Sequence, residues 1–221
     1  MHPPHLIAVS DRESLRKVAL AEWANRLGRA GIRAIQLRER DLQDQQFIAM
    51  AGRLRSAMPA AMQLYINGRP DIAVVVGADG VHLPAQGLPT RAVHRRFGSS
   101  LRIGRSAHSL REVVAARDGG ADYVFLGPIF DSPAKRRYGV PLGLAVLEQA
   151  AEVGIPVYAI GGIFSNRIES IAVAGAAGAA GIRVFQNSLE ATEIAKAARR
   201  HFKDSCSSVQ AGSSRPREVT E

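Results

Sequence analysis

Cysteine, lysine and long apolar runs are scarce in this chain of 221 residues. The single cysteine, Cys206, cannot form an internal disulfide and lies in a polar tail, which favours a reducing cytoplasm. No stretch approaches the ~20 apolar residues that a membrane-spanning helix needs, so no membrane partner is expected. The first residues, MHPPHLIAVSD, lack a basic segment followed by a long apolar run and do not resemble a secretory signal.

Basic residues exceed acidic ones and give a formal net charge of +9 at pH 7. Lysine occurs only at positions 17, 135, 196 and 203, so arginine carries most of this charge. The arginines are spread over predicted helices instead of forming one block, and the few aromatics show no base-stacking pattern. We therefore expect no nucleic-acid partner and attribute the charge to an arginine-rich composition together with a site for a small anion.

Short β-branched or apolar runs alternate with longer segments of helical period along the chain. The runs predict strands at Leu6–Ser10, Ala34–Arg40, Met62–Asn67, Gly80–Pro84, Arg102–His108, Tyr123–Phe130, Val157–Ile163 and Ala179–Phe185. The segments predict helices at Glu13–Ala30, Leu42–Met58, Asp71–Val76, Thr90–Phe97, Ser109–Arg117, Pro141–Val153, Ser165–Ala174 and Leu189–Phe202.

Regular alternation of strands and helices implies right-handed crossovers and a parallel sheet. Eight such units predict an α/β fold, a single (β/α)8 TIM barrel over residues 1–202. An open doubly wound sheet is the alternative. Residues 203–221 are polar and rich in serine, so we expect a disordered tail there.

Polar residues and glycines follow or end most of the predicted strands. In a barrel these ends converge on one mouth, where active sites lie. The candidate site residues are Gln36, Arg38, Arg40, Asn67, Ser106, His108, Lys135, Gly161, Gly162 and Arg183. Several of them are cationic and suit a phosphate or pyrophosphate, because arginine binds its oxygens in pairs and lysine acts as a point charge.

The pair Gly161–Gly162 ends predicted strand seven and precedes a helix expected to begin near Ser165. Glycine lets main-chain N–H groups approach an anion closely, next to a helix N-terminus. The alternative is that the pair only makes a tight turn between strand and helix. After strand seven of a barrel we favour the phosphate interpretation.

Six segments between Leu6 and Phe185 resemble the ordered motifs of the thiamine-phosphate synthase family. They are QLRER (36–40), NGRPDIA (67–73), GVHL (80–83), IGRSAHS (103–109), ADYVFLGPIF (121–130) and PVYAIGGI (156–163). This family joins a pyrimidine pyrophosphate to a thiazole phosphate on a (β/α)8 barrel. The resemblance implies a site for pyrimidine and pyrophosphate at Gln36, Arg38, Arg40, Asn67, Ser106 and Lys135, and one for thiazole phosphate at Gly161 and Gly162.

Two positions depart from the pattern of the synthases. Those enzymes carry one aspartate after the asparagine of strand three and a second beyond GVHL, and both bind magnesium. Gly68 and Gly87 stand there in this chain and offer no side-chain oxygen, which magnesium requires. Asp71 is expected to open a helix and Asp79 to precede its strand. We therefore predict no metal and no cofactor, with magnesium implied only if the protein is a synthase.

NGR together with IGRSAHSL is closer to the TenI-type branch of the family, whose known members are thiazole tautomerases. They move a proton within a carboxylated thiazole phosphate without a metal. A histidine is their acid/base at the end of strand six, where this chain has Pro128, which cannot transfer a proton. His108 is the best replacement, because an imidazole titrates near neutral pH; alternatively it orients Ser106 or contacts phosphate.

Three other residues near the predicted mouth each have two interpretations. We expect His82 to pack or hydrogen-bond inside the barrel. Glu39 is interpreted as an ion-pair partner of Arg38, and the alternative is a base of raised pKa. Arg183 stands where the family often has serine, so it either strengthens phosphate binding or fills the pocket.

The leading hypothesis is a metal-independent enzyme of thiamine biosynthesis that resembles a thiazole tautomerase. One alternative is a thiamine-phosphate synthase that recruits magnesium through other groups. The other is a non-catalytic barrel that binds thiazole phosphate or thiamine phosphate and regulates the pathway. Each of the three takes a small phosphorylated heterocycle as its ligand. The sequence is compatible with a monomer and with a homo-oligomer.

Overall fold

Eight parallel strands pair in sequence order and close into a barrel, because β1 also pairs with β8. The computed structural model describes residues 3–15, 18–131 and 140–202. The strands are β1 Leu6–Val9, β2 Ala34–Leu37, β3 Gln63–Asn67, β4 Gly80–Leu83, β5 Arg102–Ala107, β6 Tyr123–Leu126, β7 Val157–Ile160 and β8 Gly178–Gly181. The predicted (β/α)8 TIM barrel is confirmed, whereas the tail at 203–221 lies outside the described residues.

Helices cover the outside of the barrel between successive strands. They are α1 Arg12–Leu15, α2 Leu20–Ala30, α3 Asp44–Ala57, α4 Pro70–Val75, α5 Thr90–Phe97, α6 Leu110–Asp118, α7 Gly143–Ala151, α8 Ile168–Val173 and α9 Ser188–His201, with 3-10 turns at Ser165–Arg167 and Arg183–Phe185. The predicted helix Glu13–Ala30 is wrong as one element, since α1 and α2 share that stretch. In the described part of the chain, none of the helices has the length and apolar content to cross a membrane.

Three tyrosines fill the N-terminal end of the barrel interior. The rings of Tyr65 and Tyr158 both meet Tyr123 edge-on, each with centroids 5.6 Å apart. The Tyr65 hydroxyl donates to Gln63 at the start of β3, and the Tyr158 hydroxyl donates to the carbonyl of Pro3 ahead of β1. Because this end is packed with side chains, a ligand can enter the barrel only from the opposite, C-terminal mouth.

Most strands are shorter than the sequence predicts. β2 ends at Leu37, β5 at Ala107 and β6 at Leu126. Residues 38–40 and His108 therefore lie on the loops that follow β2 and β5, at the mouth of the barrel. Loops at this mouth carry the variable chemistry of barrel enzymes.

The glycine-alanine run in the last part of the chain forms β8 itself, which corrects the predicted strand Ala179–Phe185. β8 ends at Gly181, and Arg183 begins a 3-10 turn beyond it. A side chain at Gly178 would collide with the carbonyl of His5 and lie 2.6 Å from the ring of Tyr158. Small residues are needed here because the large ring on β7 occupies the adjacent space.

Candidate active site

A cavity of about 740 Å³ opens at the C-terminal mouth of the barrel. Nine of the predicted site residues line it: Gln36, Arg38, Arg40, Asn67, Ser106, His108, Gly161, Gly162 and Arg183. The tenth, Lys135, lies outside the described residues. The volume is that of an ordinary small-molecule site, since such pockets occupy roughly 300–1,000 Å³.

Gln36 and Asn67 join two neighbouring strands at the rim of the cavity. Gln36 is a buried polar side chain on β2, only 2% exposed. Its Nε2 donates to Oδ1 of Asn67 on β3 across 3.0 Å. The pair of amides is thereby held in one orientation, and both side chains line the cavity. A fixed amide pair can recognise a heterocycle or a phosphate oxygen without losing rotamer freedom on binding.

A buried hydrogen-bond network positions the loop that carries Arg38. The Ser10 hydroxyl donates to Glu39 Oε1 at 2.7 Å and accepts from the main-chain N–H of Arg38 at 2.8 Å. The main-chain N–H of Arg12 also donates to Glu39, and its guanidinium lies 3.8 Å from the same carboxylate. The ion pair that the structure shows for Glu39 is thus with Arg12, which corrects the predicted pairing with Arg38.

Burial governs the acidity of Glu39. Its side chain is 4% exposed, and burial raises its pKa above the ordinary value, while the hydrogen bond from Ser10 opposes that rise. The carboxylate faces Ser10 and Arg12 and is absent from the cavity lining. It therefore braces the loop after β2 and is not positioned as a base for a ligand.

The charge around the cavity is predominantly positive. Arg38 and Arg40 line it from the loop after β2, and Arg183 lines it from the 3-10 turn after β8. Among the described lining residues the one carboxylate is Asp11. This arrangement favours an anionic ligand, because guanidinium groups bind phosphate oxygens in pairs and keep their charge at any physiological pH.

Gly161 and Gly162 both adopt left-handed backbone conformations after β7, with φ of 95° and 67°. A side chain on Gly161 would lie 2.7 Å from Pro128, and one on Gly162 would lie 2.7 Å from the carbonyl of Asp131. The chain can make this turn at the cavity wall only with glycine. The helix expected at Ser165 begins as a 3-10 turn, and α8 follows with six residues. The helical segment therefore begins at Ser165 as predicted, but its first turn is a 3-10 turn and the α-helix proper begins at Ile168.

His108 lies at the exposed edge of the cavity. Its Nδ1 is 2.5 Å from the carbonyl oxygen of Gly127, and its main-chain N–H donates to Glu112. A carbonyl oxygen can only accept, so this contact places the ring proton on Nδ1 and leaves Nε2 able to accept one. The imidazole that contacts Ser106 is His82, at 2.9 Å, rather than His108.

His82 is buried inside the barrel, as predicted, and its ring borders the cavity. Its ring lies between the Tyr123 hydroxyl and Ser106, and it packs on Phe125 with centroids 4.1 Å apart. Burial, followed by the charges of Arg105 and Arg38, lowers the pKa of His82 to about 3. The ring is therefore neutral at physiological pH.

The mouth lacks the pair of carboxylates that the family resemblance associates with magnesium, since Asp11 is the one carboxylate among the described lining residues. Gly87 lines the cavity and Gly68 follows β3, and neither has a side-chain oxygen. Asp71 is bound to Arg69, and Asp79 accepts from the main-chain N–H of Leu64 at the opposite end of the barrel. The described residues contain no group of three or more His, Cys, Asp or Glu placed to hold a metal.

Two residues of the mouth were not identified from the sequence. Asp11 lines the cavity from the loop after β1. Arg105 on β5 donates to the carbonyls of Ala85 and Leu88 and so holds the loop that contributes Gly87 to the lining. The motif IGRSAHS contains Arg105, but nothing in the motif indicates which groups Arg105 contacts. Its acceptors, the carbonyls of Ala85 and Leu88, become known only from the folded loop.

Comparison with known proteins agrees with the geometry of the mouth. A family model described as thiamine monophosphate synthase matches residues 6–185. The chain belongs to this family. It is 34% identical over 205 residues to a thiamine-phosphate synthase of Caldanaerobacter subterraneus subsp. tengcongensis, covering 90% of this chain and 95% of that one. It is 40% identical over 151 residues to a thiamine-phosphate synthase of Anaeromyxobacter dehalogenans, covering 68% of each.

A solved structure shows the same barrel. The thiamine phosphate pyrophosphorylase of Pyrococcus furiosus superposes with a TM-score of 0.79 at 27% identity, covering 90% of this chain and 96% of that one. The predicted family is thus confirmed. Nothing in these comparisons favours the tautomerase branch, and the names of the relatives favour the synthase alternative over the leading hypothesis from the sequence.

Proposed function

We propose that this protein is a thiamine-phosphate synthase that joins a pyrimidine pyrophosphate to a thiazole phosphate. One observation carries the proposal: a single cavity is lined by two groups of residues that suit an anion, and the groups come from different parts of the barrel. The first group is the Gln36–Asn67 amide pair on β2 and β3, together with Arg38 and Arg40 on the loop after β2. Gly161, Gly162 and Arg183 lie after β7 and β8.

The two groups match the two substrates of this reaction. The residues after β2 and β3 suit the pyrophosphate, which carries more charge than a monophosphate and needs more than one guanidinium. The glycine turn and Arg183 suit the single phosphate of the thiazole, which main-chain N–H groups can approach closely. The relatives named above are thiamine-phosphate synthases, which supports the same assignment.

The chemistry requires charge stabilisation at the leaving group. The bond between the pyrimidine methylene carbon and the pyrophosphate oxygen breaks, and its electron pair leaves with pyrophosphate. The lone pair of the thiazole nitrogen then forms the new carbon–nitrogen bond. In this proposal Arg38 and Arg40, which line the cavity, neutralise the negative charge that develops on pyrophosphate. Charge stabilisation by groups already in position supplies much of the rate enhancement in many enzymes.

The test is product formation from both substrates in the presence of EDTA. Thiamine phosphate is separated by chromatography, and released pyrophosphate is followed by phosphorus NMR. We expect equal amounts of both products, and we expect Arg40→Ala to reduce turnover at least tenfold because a charge-assisted contact is lost. Arg200→Ser on the exposed end of α9 is the matched control. Absence of product with EDTA and also with magnesium would refute the proposal.

A second candidate is metal-free tautomerisation of the carboxylated thiazole phosphate. The position of His108 favours it, since this residue lines the cavity and its Nδ1 is held by the Gly127 carbonyl. Nε2 is then a base of the correct tautomer. Ring-proton NMR of that substrate alone, with wild type and His108→Ala, separates the candidates. Conversion that depends on His108 without the pyrimidine would support tautomerisation, and tight binding without either reaction would support a binding protein.

A further inference from the structure

Three side chains form a continuous hydrogen-bonded row across the barrel interior. Tyr123 on β6, His82 on β4 and Ser106 on β5 come from strands that are neighbours in the sheet. The Tyr123 hydroxyl lies 3.3 Å from His82 Nδ1, and His82 Nε2 lies 2.9 Å from the Ser106 hydroxyl. Ser106 and the buried ring of His82 both border the cavity, and the Ser106 hydroxyl is the end of the row.

The direction of the row follows from the buried phenol. Tyr123 is fully buried, and among the described residues the hydrogen bond of its hydroxyl is the one to His82. A buried hydroxyl proton without an acceptor is costly, so the phenol donates to Nδ1. The neutral ring then carries its single proton on Nε2 and donates to Ser106. Because Ser106 accepts from His82 through one lone pair, its own proton is not donated to the ring and is available to the cavity.

The backbone around the row is shaped to admit it. A side chain on Gly104 of β5 would lie 2.5 Å from the Tyr123 hydroxyl oxygen and 2.6 Å from His82 Nδ1. The ring of His82 also packs on Phe125 at 4.1 Å between centroids. Space at Gly104 and the contact with Phe125 together hold the imidazole in one orientation.

We propose that Tyr123 and His82 fix the Ser106 hydroxyl as a hydrogen-bond donor toward the anionic ligand of the cavity. His82 is then a positioning residue, because both of its ring nitrogens are engaged by Tyr123 and Ser106 and it acts on the ligand through Ser106. The identity of the ligand, a pyrophosphate, rests on the proposed function. A serine that rotated freely would present either a proton or a lone pair to the anion, and only the proton attracts it.

The first test is the tautomer of His82, which needs no ligand. Long-range proton–nitrogen NMR correlations of the imidazoles distinguish an Nε2–H ring from an Nδ1–H ring. The His82 signals are assigned by their loss in His82→Gln. We expect the Nε2–H tautomer, with Nδ1 shifted by Tyr123→Phe and Nε2 shifted by Ser106→Ala. An Nδ1–H or doubly protonated ring at neutral pH would overturn the inference.

The second test is a double-mutant cycle on the binding of inorganic pyrophosphate, measured by calorimetry in EDTA. We expect Ser106→Ala and His82→Leu each to weaken binding about tenfold, and the double variant to bind no worse than either. His82→Gln keeps an amide donor and should bind within about threefold of wild type. His201→Gln on α9 is the exposed control.

The outcomes separate this inference from the proposed function. Effects of His82→Leu and Ser106→Ala that multiply would overturn the positioning role, as would a His82→Gln variant that binds as weakly as His82→Leu. Wild-type protein that does not bind pyrophosphate would overturn the proposed function. In that case the tautomer of His82, which is measured without a ligand, still shows whether the hydrogen bonds run from Tyr123 through His82 to Ser106. Thermal unfolding of each variant identifies any that fails to fold. If His82→Leu fails to fold, binding by His82→Gln is compared with binding by wild type and by Ser106→Ala.

Discussion

Gln36 on β2 donates its side-chain amide proton to Oδ1 of Asn67 on β3, across 3.0 Å. The bond turns Oδ1 of Asn67 toward Gln36 and uses one of its two lone pairs, while the NH₂ group of Asn67 makes no bond to Gln36 and can donate to a ligand. Both residues line a cavity in which Arg38 and Arg40 supply positive charge. The rim after β2 and β3 therefore presents donors to the cavity, as an anion site requires.

Asn67→Asp tests this arrangement with almost no change in shape. The carboxylate still accepts from Gln36, but it replaces the donor with a negative charge facing the anion. We expect the dissociation constant for pyrophosphate to rise more than tenfold by calorimetry, with the melting temperature little changed. Asn25→Asp on α2, outside the cavity, is the control and should bind as wild type does. An unchanged dissociation constant for Asn67→Asp would remove this residue from the site.

Arg183→Ser should act on the thiazole side alone. Loss of a charge-assisted contact with the phosphate is worth about 1.5–3 kcal/mol, so KM for thiazole phosphate should rise by at least tenfold. The dissociation constant for pyrophosphate should stay within about twofold, since Arg38 and Arg40 are intact. Steady-state kinetics and calorimetry check the two values. Equal losses for both ligands would show that the two anion groups are not separate.

Much of the barrel is predictable because strand and helix periods differ so clearly. The run TRAVHRRF, for example, predicts α5 with the bounds that the structure has, Thr90–Phe97. β8 is harder, because GAAG contains no β-branched or aromatic residue. Its strand conformation comes from pairing with β1 and β7 and from the space left by Tyr158, which are tertiary effects.

The candidate site also has a part that the sequence predicts and a part that depends on tertiary contacts. Residues that follow strands, such as Arg40 and Gly161, can be placed at the mouth from the order of elements alone. The partners of side chains cannot. The sequence predicts Glu39 beside Arg38 because the two are adjacent in the chain, yet Glu39 lies against Arg12, which is 27 residues away. Such contacts depend on how two loops meet above the barrel, and no local pattern records that.

The stability of the loop network should depend on pH through Glu39. Burial raises its pKa, so the folded protein holds this proton more tightly than the unfolded chain does. Stability contributed by the protonated acid is present below the ordinary pKa of 4.5 and is lost as pH rises through the folded pKa. Relative to wild type, Glu39→Gln should therefore become more stable as pH rises from about 4 to about 7.

Urea unfolding at several pH values measures the free energy of unfolding of both proteins. Glu152→Gln at the exposed end of α7 is the matched control and should follow the wild-type pH dependence. A difference between Glu39→Gln and wild type that stays constant with pH, or that reverses, would contradict the raised pKa of Glu39.

Introducing carboxylates at Gly68 and Gly87 should create a metal site. Gly68 has φ of 72°, which aspartate and asparagine tolerate at a cost of about 1 kcal/mol, and a Cβ there meets Pro84 at an ordinary 3.5 Å. A Cβ on Gly87 would lie 3.0 Å from Pro84, so that loop must shift slightly. We expect Gly68→Asp/Gly87→Asp to bind manganese, seen as loss of the free-ion signal in electron paramagnetic resonance.

Gly68→Asn/Gly87→Asn is the matched control, because asparagine adopts the same backbone but brings no charge. It should leave the free manganese signal near that of wild type. Strong manganese binding by the wild-type protein itself would contradict the conclusion that its residues do not fit a divalent ion.

The most direct test of the account is a calorimetric titration of the wild-type protein with inorganic pyrophosphate in EDTA. The arginines after β2 are expected to bind one pyrophosphate per chain with a dissociation constant in the micromolar range, and Arg38→Ala and Arg40→Ala should each weaken it about tenfold. Heat of binding that appears only when magnesium replaces EDTA would contradict the claim that side chains of this cavity hold the pyrophosphate without a metal.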